Sequence, residues 1–247
     1  MPSGSEILEH EPGDLTCIVE AGVRLSALAE RLAAHGQRLS LDPPGDPTLG
    51  ECLLDDLSGP LAHRFGTMRD LVIGVTVVLP DGTRSSSGGK VVKNVAGYDL
   101  GKLFCGSRGR LGAVERLALK LHPRPAAERT VVLDGGRWLE LHRSALVPSA
   151  VDLADGQLYV LLEGNERAVE AQVAEAERLL GSCVSKHKDD WDELRALQAR
   201  LPGRERWDGQ RAQLVRPGRR VAYTSDVRER AWSPLAERVR EAFCSPS

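Results

Sequence analysis

Gly88-Gly89-Lys90-Val91-Val92-Lys93-Asn94-Val95-Ala96-Gly97-Tyr98-Asp99-Leu100 runs on into Phe104-Cys105-Gly106-Ser107-Arg108-Gly109-Arg110-Leu111-Gly112. The stretch concentrates glycine, amide, hydroxyl and cationic groups. Glycines let the main chain approach a large planar ligand, and clustered backbone N–H groups suit phosphate oxygens. Two common nucleotide motifs are excluded by spacing. Gly97 to Lys102 has one residue too few between its glycines for a phosphate-binding loop, and Leu103 stands where magnesium needs Ser or Thr. Gly106, Gly109 and Gly112 are too widely spaced for the dinucleotide fingerprint of a Rossmann unit, and a strand rather than a helix follows them.

The flanks predict a mixed α and β fold. Upstream, Asp70 to Pro80 is rich in β-branched residues and reads as a strand, Asp81-Gly82 as a hairpin turn, and Thr83 to Ser86 as the return strand. Downstream, Val114 to Leu121 alternates Leu117, Leu119 and Leu121 with Ala118 and Lys120, the period of a strand. Nearer the N-terminus, Thr16 to Val19 reads as a strand. Leu25, Leu28, Ala29, Leu32 and Ala33 then form one helical stripe that Gly36 stops. Asp42 to Pro47 must be loop, because it carries three prolines and a glycine. His122-Pro123-Arg124-Pro125 marks a boundary between a module over 1–125 and another over 126–247. In the second module, Thr130–Leu133, Gln157–Leu162 and Arg220–Tyr223 read as strands. Glu166–Leu180, Trp191–Arg200 and Pro234–Phe243 read as helices. The fold class is α+β.

Composition narrows the functional class. The chain of 247 residues is 41% hydrophobic and 28% charged, with a net charge of −2, so no electrostatic case for nucleic-acid binding exists. The five cysteines are scattered, which argues against a metal knuckle or an iron–sulfur ligand run and for free thiols in a reducing compartment. Met1 to Glu6 lacks the basic and apolar regions of a signal peptide, so a cytoplasmic location is expected, at the inner membrane face only through partners. His10, His35, His63, His122, His142 and His187 show no metal-ligand spacing, and no nucleophile-elbow pattern supports a hydrolase.

The run from Gly88 to Phe104, with Asp70-Leu71-Val72-Ile73-Gly74-Val75, Val78-Leu79-Pro80-Asp81-Gly82 and Leu111-Gly112-Ala113-Val114, resembles the FAD-binding subunit of bacterial glycolate oxidase, a vanillyl-alcohol-oxidase-type (PCMH-type) flavoprotein. The resemblance runs from about Leu8 to Pro125, and more weakly through Arg220 to Tyr223 and Ser233 to Val239. It implies a PCMH-type FAD-binding domain followed by a smaller α+β cap domain. It also implies FAD as cofactor, with Thr48, Leu49, Gly50, Ser58 and Gly59 passing the pyrophosphate and flavin. Gly106, Ser107, Gly109, Gly112, Ala113 and Val114 would line the cofactor, with backbone groups near Ala113 and Val114 meeting its adenine end. No catalytic residue and no metal ligand follow from it. The implied partners are a catalytic flavoprotein subunit and an iron–sulfur subunit.

Three departures from the family pattern shape the expected function. The chain begins after the family's Gly-rich pyrophosphate loop, so an N-terminally truncated FAD domain lacking its first subdomain is expected. Glu51, Leu54, Asp55 and Asp56 stand where the family carries glycine, small residues and Thr-Asn. A carboxylate ~5 Å from a phosphate charge, at an effective dielectric of ~20, would cost roughly 3 kcal/mol per pair. Arg108 and Arg110 replace smaller residues, and would offset that repulsion or block the adenine channel. Only His142 and His187 follow residue 125, so the histidine-rich metal cluster of the catalytic 2-hydroxy-acid dehydrogenases is absent. Two readings stay open: an FAD-binding accessory subunit of a glycolate-oxidase-like complex, or a degenerate non-catalytic paralogue that keeps fold and partner surface but not FAD.

Overall fold

The computed structural model describes residues 4–89, 99–181, 184–186, 189–209 and 212–226. The Lys90–Tyr98 part of the opening stretch, Cys183, Cys244 and the expected helix Pro234–Phe243 lie outside the described residues. The chain divides into two compact units. Among described residues the first holds 4–58 and 66–124, and the second holds 59–65 and the residues from 125 onward.

In the first unit the chain runs β1 (Ile7–Glu11), β2 (Thr16–Glu20), α1 (Leu25–Ala33), β3 (Gln37–Arg38) and α2 (Leu49–Leu54). After α3 (Ala62–Phe65), which belongs to the second unit, come α4 (Met68–Leu71), β4 (Val72–Val78), β5 (Arg84–Gly88), α5 (Leu100–Phe104), β6 (Ala113–Lys120) and β7 (His122–Pro123). Five strands form one antiparallel sheet in the order β1-β2-β6-β4-β5. The β4–β5 hairpin forms where Asp81-Gly82 predicts it, with the Asp81 carboxylate accepting the Thr83 N–H at 2.8 Å. The strand begins later than the sequence suggests: Asp70 and Leu71 close α4, because the Asp70 carboxylate accepts the Thr67 N–H at 2.8 Å and caps that short helix. The core gathers Val19, Leu28, Leu32, Leu53, Phe104, Leu117 and Leu119, all with zero exposed surface. Each such leucine contributes about 2 kcal/mol relative to leaving it in water. Only Leu28 and Leu32 of the α1 stripe are fully buried.

The second unit is built on β8 (Ala127–Asp134), α6 (Trp138–Arg143), β9 (Ala150–Ala154), β10 (Gln157–Gly164), α7 (Glu166–Leu180), β11 (Val184–Lys186), α8 (Asp189–Ala199), β12 (Gly203–Arg206), β13 (Leu214–Arg216) and β14 (Val221–Thr224). Its antiparallel sheet has seven strands in the order β11-β8-β10-β9-β13-β14-β12. Strand β10 is covered on both faces. Leu158, Val160 and Leu162 join α7 and Leu141 in one core; Leu161 and Tyr159 join Trp191, Leu194, Leu214 and Leu61, the residue before α3, in another. That explains the nearly unbroken apolar run of β10, which a half-exposed strand would not carry. Helix α7 starts at Asn165, whose side chain accepts the Ala168 N–H at 2.8 Å, and ends before Gly181.

Candidate functional site

Apart from Ser58 and Gly59, the residues singled out by resemblance fall into two segments of the first unit that meet. Helix α2 is one. Thr48 is its N-cap, and Leu49 and Gly50 are buried in its first turn. The backbone N–H groups there are already used: Leu49 donates to the Val23 carbonyl at 2.9 Å and Gly50 to the Ala21 carbonyl at 2.8 Å. A Cβ on Gly50 would lie 3.0 Å from both the Ala21 side chain and its carbonyl, so this glycine permits close packing. Glu51 has a task that the sequence reading did not give it. Its carboxylate accepts the Thr48 N–H at 2.7 Å while its own N–H donates to Thr48 Oγ1 at 3.2 Å, a complete capping box. The pattern Thr48-Leu49-Gly50-Glu51 is the S/T-x-x-E signature of such a box, so the signal was present in the sequence.

The other segment is the loop Gly106–Gly112. It lies over the C-terminal end of α2, held by Gly106 N–H to the Leu53 carbonyl and Arg108 N–H to the Leu54 carbonyl, each 2.9 Å. These carbonyls are ones a helix leaves without internal partners, so the loop completes the helix as the helix fixes the loop. Gly106 has φ +75° and Arg108 φ +54°, the left-handed region that favours glycine. At the far end, a Cβ on Gly112 would sit 2.3 Å from the Val78 carbonyl, which only glycine allows. Ala113 and Val114 then enter β6 opposite Val78 and Val77. Gly109 and Ala113 are exposed and Val114 is buried.

Ser107 is the most telling residue of the loop. It is buried, and its Oγ has no hydrogen-bond partner. A buried hydroxyl left unpaired is costly, so such an atom is the natural contact for a ligand oxygen. Beside it, Asp56 (φ +50°) accepts a weak hydrogen bond from the Cys105 thiol, 3.4 Å from Sγ to Oδ1, and Asp55 closes α2 as its C-cap. Burial pushes the Cys17 and Cys52 thiols up to about 12, so neither is a reactive group. The loop therefore offers an unpaired buried donor, left-handed backbone and the exposed cationic residues Arg108 and Arg110. That set fits an anionic, acceptor-rich cofactor such as FAD. Ser58 is the last residue of its segment in the first unit and is buried; Gly59, also buried, belongs to the second.

The second unit holds two polar features of its own. Arg216 and Asp152 are buried with Arg216 Nε 3.1 Å from Asp152 Oδ1, and Arg216 also donates to Tyr223 Oη at 2.5 Å and Gln198 Oε1 at 2.6 Å. His63 on α3 packs against Gly218. Burial first, then the neighbouring His142 and Arg219, hold its imidazole down to about 4. Among the described residues no group of His, Cys, Asp or Glu side chains could hold a metal ion.

Comparisons with known proteins bear on the chain as a whole and on residues 3–87, which match the FAD binding domain model. The chain is 32% identical over 209 residues to glycolate oxidase subunit GlcE of Escherichia coli, a match covering 80% of this chain and 58% of that protein. It is 36% identical over 168 residues to glycolate oxidase subunit GlcD of Bacillus subtilis, covering 64% of this chain and 36% of that one. It is 32% identical over 169 residues to the mitochondrial D-lactate dehydrogenase [cytochrome] 1 of Saccharomyces cerevisiae, covering 66% and 29%. The chain thus spans between 29% and 58% of these relatives' lengths. Among solved structures, alkyldihydroxyacetonephosphate synthase superposes with a TM-score of 0.65 at 18% identity, covering 79% of this chain and 44% of that one, which shows a shared fold. By these comparisons the chain carries a match to the FAD binding domain over residues 3–87 and is similar to glycolate oxidase subunits and to D-lactate dehydrogenases.

Proposed function

We propose that this protein is the FAD-binding accessory subunit of a glycolate-oxidase-like 2-hydroxy-acid oxidoreductase complex, working with a catalytic flavoprotein subunit and an iron–sulfur subunit. The observation that carries the reading is the match to a glycolate oxidase subunit over 209 residues. Bound FAD would supply the two-electron chemistry. The chain's own residues would bind and orient it: Ser107 Oγ would donate to a cofactor oxygen. Gly109, Gly112, Ala113 and Val114 would give the main chain close access, and α2 from Thr48 to Gly50, with Ser58, would shape the remaining wall. The proposed location is cytoplasmic, at the inner membrane face through partners; no described helix is long and apolar enough to cross a membrane.

Co-expression with the catalytic and iron–sulfur subunits of such a complex tests the role, with glycolate-dependent dye reduction as the readout. Activity should require this chain and co-purify with it. Full activity without it would contradict the assignment. The competing reading, a paralogue that keeps the fold but not FAD, is favoured by Asp55 and Asp56 beside the loop, and it requires that no flavin binds.

A further inference from the structure

We propose that Arg108 is the cation that holds the diphosphate of the bound cofactor, an inference that rests on the FAD reading above. Arg108 sits in the left-handed region between Gly106 and Gly109, where glycine would be the relaxed choice. The chain nevertheless places its longest cation there. The root of the side chain is fixed on both sides, since Gly106, Ser107 and Arg108 all donate their N–H groups to carbonyls of α2 or α5 at 2.9–3.0 Å. The guanidinium itself is exposed and, among the described residues, makes no ion pair or hydrogen bond, whereas Arg84, Arg178 and Arg216 each engage a carboxylate. Lys102, also near the loop, is taken by Asp99 at 2.8 Å.

The adjacent Ser107 supplies the second and independent observation, a buried hydroxyl with no partner. A guanidinium and a hydroxyl on neighbouring residues are suited to a diphosphate: the first engages two phosphate oxygens in a fork, the second donates to a third acceptor. Charge balance points the same way. Asp55 and Asp56 lie on the segment to which the loop is bonded, so the cofactor's anionic middle would need a cation from the loop to offset them.

The experiment titrates flavin fluorescence with wild-type protein, Arg108→Gln, Arg108→Lys and Arg108→Gly, using FAD and riboflavin at several salt concentrations, with a thermal melt of each variant. Riboflavin lacks the diphosphate. Arg108→Gln should weaken FAD about 10- to 100-fold, flatten its salt dependence and leave riboflavin unchanged. Arg108→Lys should restore part of the loss, and Arg108→Gly, which relaxes the backbone, should melt no lower than wild type while binding FAD as poorly as Arg108→Gln. Wild-type FAD affinity in Arg108→Gln, or equal loss for FAD and riboflavin, would overturn the inference while leaving the FAD reading intact. Absence of FAD binding by the wild-type protein would overturn both.

Discussion

Two polar clusters in this protein, one in each unit, differ in how their cations are used. In the second unit, Arg216 is buried and spends its guanidinium on Asp152, Tyr223 and Gln198. In the first, Ser107 is buried with nothing to bond, and Arg108 stands beside it without a carboxylate among the described residues. The guanidinium of Arg216 is fully committed, although Asp152 Oδ2 finds no hydrogen bond, and such a network holds a fold together. A buried donor and a free cation on a rigid loop are incomplete without a ligand. Thr16 Oγ1, Ser40 Oγ and Asp152 Oδ2 are also buried without a hydrogen bond, so an orphaned polar atom points to a ligand here only together with an uncommitted cation next to it.

The largest effect should come from breaking the closed cluster. Asp152→Ala leaves the Arg216 charge buried and should cost about 3–5 kcal/mol in chemical unfolding of the second unit. A loss below about 1 kcal/mol would show that water already reaches the pair. Next in size is acid sensitivity at His63. Its folded pKa of about 4 lies below that of a free histidine, so the unfolded chain takes up the proton first. The stabilisation is complete above about pH 6.5 and is lost as pH falls toward 4, about 3 kcal/mol in all. A His63→Gln variant should lose that part of the pH dependence; an unchanged profile would place the sensitivity elsewhere.

The open cluster should respond in binding instead of stability. Ser107→Ala removes an unpaired buried hydroxyl, so it should leave the melting temperature unchanged or slightly higher while weakening FAD about 10-fold. A destabilised variant with unchanged flavin affinity would reverse the contrast between the two clusters. The smallest effect is expected at Glu51. Glu51→Ala opens the capping box of α2 and should cost about 1 kcal/mol in stability. The sequence alone sets Glu51, Asp55 and Asp56 against the diphosphate, and on that ground replacing all three should raise FAD affinity. The structure commits Glu51 to the cap, so any gain in that triple variant should persist when Glu51 is kept.

The elements legible in the sequence were those with a local cause. The β4–β5 hairpin follows from Asp81-Gly82, and α7 follows from its apolar stripe, its Asn165 cap and Gly181 beyond its end. Strands β9 and β13 were missed, being short and lacking alternation because the sheet buries them from both sides. The last two residues of α4, Asp70 and Leu71, read as strand because they adjoin a β-branched run, whereas the Thr67–Asp70 capping pair holds them in the helix. At the site, the glycines of the loop were visible, but its attachment to α2 was not. The bonds from Gly106 to Leu53 and Arg108 to Leu54 join residues about fifty positions apart, and no local pattern reports them. The orphaned Ser107 hydroxyl is likewise a fact of burial, which only the assembled core reveals.

The central claim is that the open cluster of the first unit takes FAD. Its most direct test is the absorption spectrum of the purified protein after incubation with FAD and removal of free flavin. The account predicts close to one flavin per chain, reduced in proportion by Ser107→Ala. A protein that retains no flavin, and whose melting temperature does not move at saturating FAD, would contradict it.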